Sequence, residues 1–294
     1  MKSAGRSVLR LLAPLIPKRF RADIPVVPVV CLTGIIGFTT PLKPGLTLEN
    51  IARVLERAFG MRKPRAVALA INSPGGSPVQ AHLIYQRIRQ LAEEKKIPVI
   101  AFVEDVGASG GYMIACAADE IVCDPSSIVG SIGVLGATFG FPKAMKKLGI
   151  ERRVYTAGER KLMLDPFLPE KPEDVKRLKA IQREIHEMFI ALVKTARGRK
   201  LRGPESALFS GEYWAGEKAL ELGLVDSLGD LRSHLRSRFG GKVHTPLIAE
   251  RGWLGRRMTG IGQGSLEGAL TRPGLAEEIV SAIEARALWA RYGL

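Results

Sequence analysis

The sequence predicts an α/β fold, built from layered β-α-β repeats around a largely parallel sheet, and three observations carry that prediction. Aliphatic and β-branched runs recur from Pro25 onward, each run enters a glycine- or proline-bearing loop, and each loop leads into a stretch with apolar residues every three or four positions. With 46% hydrophobic residues in 294, the chain can bury a large core.

Residues 29–37 form the first expected strand. Thr47 is placed to cap a helix that carries Asn50 in its first turn and Ile51, Val54, Leu55 and Phe59 along one face. A strand over 66–71 follows, then a helix from about Pro78 with Val79, Leu83, Ile84, Ile88 and Leu91 as its apolar positions. A strand over 97–103 delivers the chain to Ser109 and to a helix of small residues over 110–118 that must pack closely. Two short strands, 120–123 and 129–135, flank Asp124-Pro125-Ser126-Ser127, and 152–156 supplies another strand that runs into Ala157-Gly158-Glu159-Arg160-Lys161. A long helix starts near Pro172, where Glu173 and Asp174 suit its N-terminal dipole, repeats Leu178, Ile185 and Leu192, and stops before Gly198. A short helix ends at Gly223, and Leu224-Val225 reads as the last strand. Beyond Gly240 the pattern is irregular until Leu275, where Ile279, Val280, Ile283 and Leu288 mark a C-terminal amphipathic helix. The organisation expected is a basic amphipathic segment over 1–24, the layered domain over 25–239, and a tail with an assembly helix over 240–294.

The net charge of +15 calls for an anionic neighbour. Lys2, Arg6, Arg10, Lys18, Arg19 and Arg21 stand against Asp23 alone in the first segment, and the tail is basic as well. No RNA-binding signature, zinc knuckle or aromatic-basic interleaving accompanies these charges, so nucleic acid is set aside in favour of peripheral contact with an anionic membrane. The first twenty residues, interrupted by Pro14 and Pro17, are too short to span a bilayer. No small-residue cleavage site follows their apolar run, which disfavours a secretory signal; a transit peptide and a disordered basic arm stay open. Cys31, Cys116 and Cys123 lie in or beside apolar runs without CxxC spacing and are expected to be buried thiols of a reducing compartment, with no metal site and no cofactor.

The chemistry is concentrated in two turns. Glu104-Asp105-Val106-Gly107-Ala108-Ser109-Gly110-Gly111-Tyr112 presents a serine among small residues at a strand-to-helix junction, which leaves its hydroxyl uncovered, as a nucleophile requires. About 30 residues upstream, Asn72-Ser73-Pro74-Gly75-Gly76-Ser77-Pro78 offers paired glycines able to aim N–H groups at a developing oxyanion. The run Gly107-Ala108-Ser109-Gly110-Gly111 satisfies GxSxG, which in an α/β-hydrolase demands an acid and then a histidine downstream. His82 precedes Ser109, His186 falls near the polar side of the long helix, and His234 and His244 lie in basic or loop-like stretches without an orienting acid. A lysine is then the simplest base. An amine acting near neutral pH must have its pKa lowered by ~3 units, about 4 kcal/mol, which demands a dry site. Lys161 follows a glycine turn and is surrounded in sequence by Leu162, Met163, Leu164, Pro166 and Phe167, a setting expected to be dry.

Together with Val129-Gly130-Ser131-Ile132-Gly133-Val134, the Gly158-x-x-Lys161 turn and Ala219-Leu220-Glu221-Leu222-Gly223-Leu224-Val225-Asp226, these motifs resemble the signal peptide peptidase A (protease IV, SohB-like) serine peptidases over residues 27–235. The resemblance implies a crotonase-like fold shared with the Clp proteases, Ser109 as nucleophile, Lys161 as general base, and an oxyanion hole from the N–H groups of Gly75, Gly76 and Gly110. It also implies ring-like homo-oligomers at the cytoplasmic face of the inner membrane, with the serine and lysine of one site on different protomers, acting on residual signal peptides and other extended apolar peptides. Arg160 stands where the family usually has an aromatic, and the family's N-terminal spanning helix is missing, so a cytoplasmic or peripheral chain is expected. The alternatives are an acyl-CoA-processing crotonase, which needs no Ser-Lys pair, and a membrane-associated scaffold in which Ser109 only permits close packing.

Overall fold

In the computed structural model, residues 24–38, 45–158, 160–249, 283 and 286–294 are described. The strands among them are β1 (Val29–Thr33), β2 (Val67–Ser73), β3 (Val99–Ala108), β4 (Glu120–Cys123), β5 (Ile128–Gly130), β6 (Tyr213–Ala215) and β7 (Ser227–Leu228), and they form one sheet. Its main path runs β1-β2-β3-β4-β7 with every pairing parallel, and the fold is the α/β class expected. β3 forks: its lower half pairs with β4 over Ile100–Val103, while its upper half pairs with β5 over Val106–Ala108. β6 closes antiparallel on β5, setting Gly130 opposite Tyr213. At the fork the Ser127 hydroxyl donates to Val103 O and Glu104 O.

The helices are α1 (Leu48–Phe59), α2 (Pro78–Lys95), α3 (Gly110–Ala115), α4 (Pro142–Leu148), α5 (Pro172–Arg197), α6 (Glu205–Leu208), α7 (Gly216–Glu221) and α8 (Leu231–Phe239). Local chemistry sets their ends. Thr47 Oγ1 accepts the Asn50 N–H to cap α1, Ser77 caps α2 with Pro78 in its first turn, and α5 runs from Pro172 to a glycine at φ +50°. On one face of the sheet Leu32, Leu69, Ile71, Ala101 and Val103 pack against α1, α2, α3 and the C-terminal half of α5. On the other, Ala68, Ala70, Ile100, Phe102 and Val122 pack against Leu235 of α8. Each fully buried aliphatic side chain, such as Ile84 or Ile88, contributes roughly 1.5–3 kcal/mol of transfer free energy.

Several sequence expectations are corrected. The run over 152–156 is not a strand: it is exposed throughout, no strand among the described residues lies beside it to complete its ladder, and β-propensity alone does not supply one. The strand expected over 129–135 ends at Gly130 because Ser131 turns into the left-handed region at φ +53°. The last strand is Ser227–Leu228 rather than Leu224-Val225, whose side chains are buried in the core between α7 and β7. Leu178 and Ile185 are only half-buried, since the buried face of α5 begins at Phe189, and Val79 is exposed. Cys116 and Cys123 are buried, with burial pushing both thiols up to about 12, whereas Cys31 is exposed, two residues beyond the buried Val29 of β1. The segment over 1–24 falls outside the described residues except for Ile24, as does most of the expected C-terminal helix, of which Ile283 and 286–290 are helical.

Candidate active site

Ser109 stands between β3 and α3 in a conformation side chains rarely adopt, φ +52° and ψ −122°. Such a residue costs roughly 1–3 kcal/mol unless its surroundings fix it, and strain of this kind clusters at functional sites. Two neighbours fix it here. Its N–H donates to Gly130 O at 2.8 Å, and the Gly75 backbone lies so close that a Cβ at Gly75 would sit 2.7 Å from Ser109 Cβ and 3.0 Å from Ser109 Oγ. The two glycine turns singled out in the sequence are therefore in contact. Ser109 is half-buried, and its Oγ has no hydrogen-bond partner among the described residues.

The N–H groups of Gly76 and Gly110 are likewise without a partner among the described residues, while the Gly75 N–H donates to Ser73 Oγ at 3.2 Å. Gly75 has φ +103°, which an L side chain tolerates poorly, so glycine here serves both the turn and the approach to Ser109. Beneath the turn, Asn72 Nδ2 donates to Asp105 Oδ2 at 2.5 Å. Partial desolvation of this largely exposed side chain, and to a lesser degree the neighbouring Asp105 charge, raise the Glu104 carboxyl from its ordinary value.

The histidines are engaged elsewhere. His186 Nε2 donates to Ile132 O at 2.9 Å, so this half-buried ring braces the loop that follows β5 and is not the polar-side histidine the helical pattern suggests. His234 packs edge-on against Phe102 with its Nε2 3.1 Å from Glu120 Oε1, an acid that the sequence expectation did not give it, and His82 stacks on Tyr85. No group of three or more metal-ligating side chains occurs among the described residues.

Lys161 lies in a turn after Gly158, with its N–H donating to Gly158 O at 3.2 Å, and no hydrogen bond of the described residues joins it to Ser109. Within one chain its side chain is exposed, which corrects the expected dry setting: Leu162, Met163 and Leu164 are half-buried around it but do not cover the amine. The turn belongs to an arm over 134–168 that is rich in uncovered apolar side chains, among them Tyr155 at 89%, Phe139 at 74% and Leu148 at 72% exposure. The rings of Phe139, Phe141 and Phe167 form a chain with centroids 6.4 and 5.5 Å apart, closed by the Arg152 guanidinium over Phe167 and its ion pair with Asp165.

The sequence reading missed two further side chains at the site. Ser131 repeats the left-handed backbone of Ser109 one residue after the carbonyl that holds it, and its place in the Val129–Val134 motif was the available signal. Tyr292 packs over the tip of β3 and carried no sequence signal.

Comparison with known proteins places these features in a family context. A family model described as "Peptidase family S49" matches residues 91–238, a span that contains Ser109 and Lys161 and begins after the Gly75-Gly76 turn. A Brucella abortus protein named "Na(+)/H(+) antiporter NhaA" is 56% identical over 288 residues, 97% of this chain and 39% of that one. "Serine protease SPPA, chloroplastic" of Arabidopsis thaliana is 33% identical over 185 residues, 63% of this chain and 26% of that one. "Protease 4" of Haemophilus influenzae is 34% identical over 187 residues, 62% of this chain and 29% of that one. The chain thus spans about two fifths of the Brucella relative and less of the other two.

Proposed function

The chain belongs to peptidase family S49, and on that premise we propose that it is a serine protease in which Ser109 is the nucleophile, Lys161 of a neighbouring protomer is the general base, and glycine N–H groups form the oxyanion hole. The observation that carries the reading is the strained Ser109, held against the Gly75 backbone with a hydroxyl that has no partner among the described residues. In the reaction, neutral Lys161 Nζ takes the Ser109 Oγ proton as Oγ bonds to the peptide carbonyl carbon. The oxyanion is met by the N–H groups of Gly76 and Gly110, joined by that of Gly75 on release from Ser73 Oγ. The lysine proton passes to the leaving amine as the C–N bond breaks. Lys161 Nζ then deprotonates water, which attacks the ester carbonyl carbon, and as the ester C–O bond breaks the proton passes from Nζ to Ser109 Oγ and restores the serine.

Two features support a shared site in a homo-oligomer. Lys161 is uncovered in the single chain, and the arm that carries it presents apolar side chains of the kind a second copy buries. Extended peptides with small or apolar side chains, residual signal peptides among them, suit glycine-lined turns that offer main-chain hydrogen bonds. Peripheral contact with an anionic membrane on the cytoplasmic side is supported by the net charge of +15 and by Arg232 and Arg236 of α8, which form no ion pair among the described residues. The antiporter name of the Brucella relative fits a membrane-side setting. No described helix is long and apolar enough to cross a membrane.

Ser109→Ala and Lys161→Ala are each expected to lower turnover of an apolar peptide by at least ~10³-fold, and mixing the two inactive variants is expected to restore part of it. Normal turnover in either variant overturns the assignment, and no recovery in mixed assemblies overturns the shared site.

A further inference from the structure

We propose that Tyr292 is a positioning residue for Ser109, tying together the two turns that flank the nucleophile; the inference rests on Ser109 being that nucleophile. Tyr292 is 6% exposed, and its ring packs with Val106 and Ala108 at the tip of β3, next to Ile128 and Trp289. Its hydroxyl lies 3.4 Å from Pro74 O, to which it donates, and 3.3 Å from Ser131 Oγ. Both partners stand one residue from a group that touches the nucleophile. Pro74 precedes Gly75, whose backbone packs on Ser109, and Ser131 follows Gly130, whose carbonyl accepts the Ser109 N–H.

Ser109 and Ser131 both carry side chains at positive φ, +52° and +53°, and such residues persist only where neighbours over-determine them. Ser131 is held from one side by its N–H to Glu212 O at 2.7 Å, and Tyr292 holds it from the other. The segment carrying Tyr292 is itself anchored. Tyr213 of β6 donates to Arg291 O at 3.1 Å, and its ring meets that of Tyr292 edge-on with centroids 5.1 Å apart. A tyrosine that merely filled apolar space has no need of two polar contacts, and here both fall on the turns around Ser109. Those contacts are long for O–H···O bonds, so the buried ring carries most of the effect and the hydroxyl the remainder.

The test compares wild type, Ser109→Ala, Tyr292→Ala and Tyr292→Phe in the full chain. It measures kcat and KM on an apolar peptide, the rate of labelling by a fluorophosphonate with the labelled residue mapped, and the thermal midpoint. Tyr292→Ala is expected to lower kcat and the labelling rate by ~10-fold, the loss that a sub-ångström displacement of a nucleophile brings, with KM nearly unchanged. Tyr292→Phe is expected to recover all but roughly 3-fold, the share of one weak hydrogen bond. Unchanged kcat in Tyr292→Ala reduces the residue to a cover for an apolar patch, and raised kcat makes the segment an obstruction; either overturns the proposal. So does a loss that only tracks the unfolded fraction. If Ser109→Ala stays active or the label maps elsewhere, the nucleophile assignment itself has failed; if Ser109→Ala is dead, Ser109 is labelled and Tyr292→Ala behaves as wild type, the positioning role alone has failed.

Discussion

Replacing Gly75 by alanine tests the contact on which the active-site reading stands. The new methyl would sit 2.7 Å from Ser109 Cβ and 3.0 Å from both Ser109 Oγ and Gly110 N, whereas carbon atoms rest at roughly 3.5–4.0 Å. Ser109 or the turn must therefore retreat by about 1 Å. A displacement of that size at a reacting group costs on the order of 10²-fold in rate, which is about 2.7 kcal/mol of transition-state stabilisation. The φ of +103° adds roughly 1–2 kcal/mol of backbone strain, which appears as lost stability. Gly240→Ala is the matched control: its φ is +94°, but nothing lies within 4 Å of its added methyl. Steady-state turnover of an apolar peptide and denaturant unfolding of both variants separate the two effects. Gly75→Ala is expected to lose both turnover and stability, and Gly240→Ala stability alone. A Gly75→Ala enzyme within twofold of wild-type kcat, or a Gly240→Ala enzyme equally slow, refutes the reasoning.

Two other perturbations address stability and assembly. Asp226 lies against the Arg197 guanidinium, whose side chain is 2% exposed, and also receives Lys200 and the Ile121 N–H. Burial raises its carboxyl, but the hydrogen bonds from Arg197, Lys200 and Ile121 outweigh it and leave the folded pKa below the ordinary value. Its stabilisation is thus complete above the unfolded value of about 3.9 and is lost as pH falls through the lower folded one. Asp226→Asn, which strands the buried Arg197 charge, is expected to cost roughly 3–5 kcal/mol at neutral pH and to flatten the decline in stability below about pH 4, as read by urea unfolding across pH. Tyr155→Asp or Phe139→Asp, each placing a charge on the exposed arm, is expected to shift the protein to smaller species in size-exclusion chromatography with light scattering and to lower turnover in parallel. Unchanged size, or full activity in a dissociated chain, overturns the shared site.

Elements whose signals are local were legible in the sequence. Thr47 as a cap, the bounds of β4, and α5 between Pro172 and Gly198 depend on residues a few positions apart. The end of β3 was not, because Glu104 and Asp105 interrupt the apolar run; the strand continues past them since their side chains face outward while Val106 and Ala108 stay buried. The run over 152–156 has the composition of a strand but finds no partner among the described residues, and a partner is a property of the fold. At the site, Ser109 and the glycine turn announce themselves through small residues at a strand-to-helix junction. Tyr292 meets Ser131 across 161 residues and Pro74 across 218, distances over which no spacing rule reaches. Within one chain the apolar neighbours of Lys161 leave its amine exposed for a related reason: neighbours in sequence do not decide what lies above a side chain in space.

The fork in β3 has a consequence for how the molecule tolerates change. Its root shares rungs with β2 and β4, whereas its tip, still joined to β2 through Ser73 and Gly107, is also laced to a small flap made of β5, β6 and the segment around Tyr292. Substitutions in β4 or β7 fall beside the root of the strand, whereas substitutions in β5 fall on the residues that hold the Ser109 backbone. One strand thus serves both the broad sheet and the small flap, and Ser109 stands at the end where the two meet.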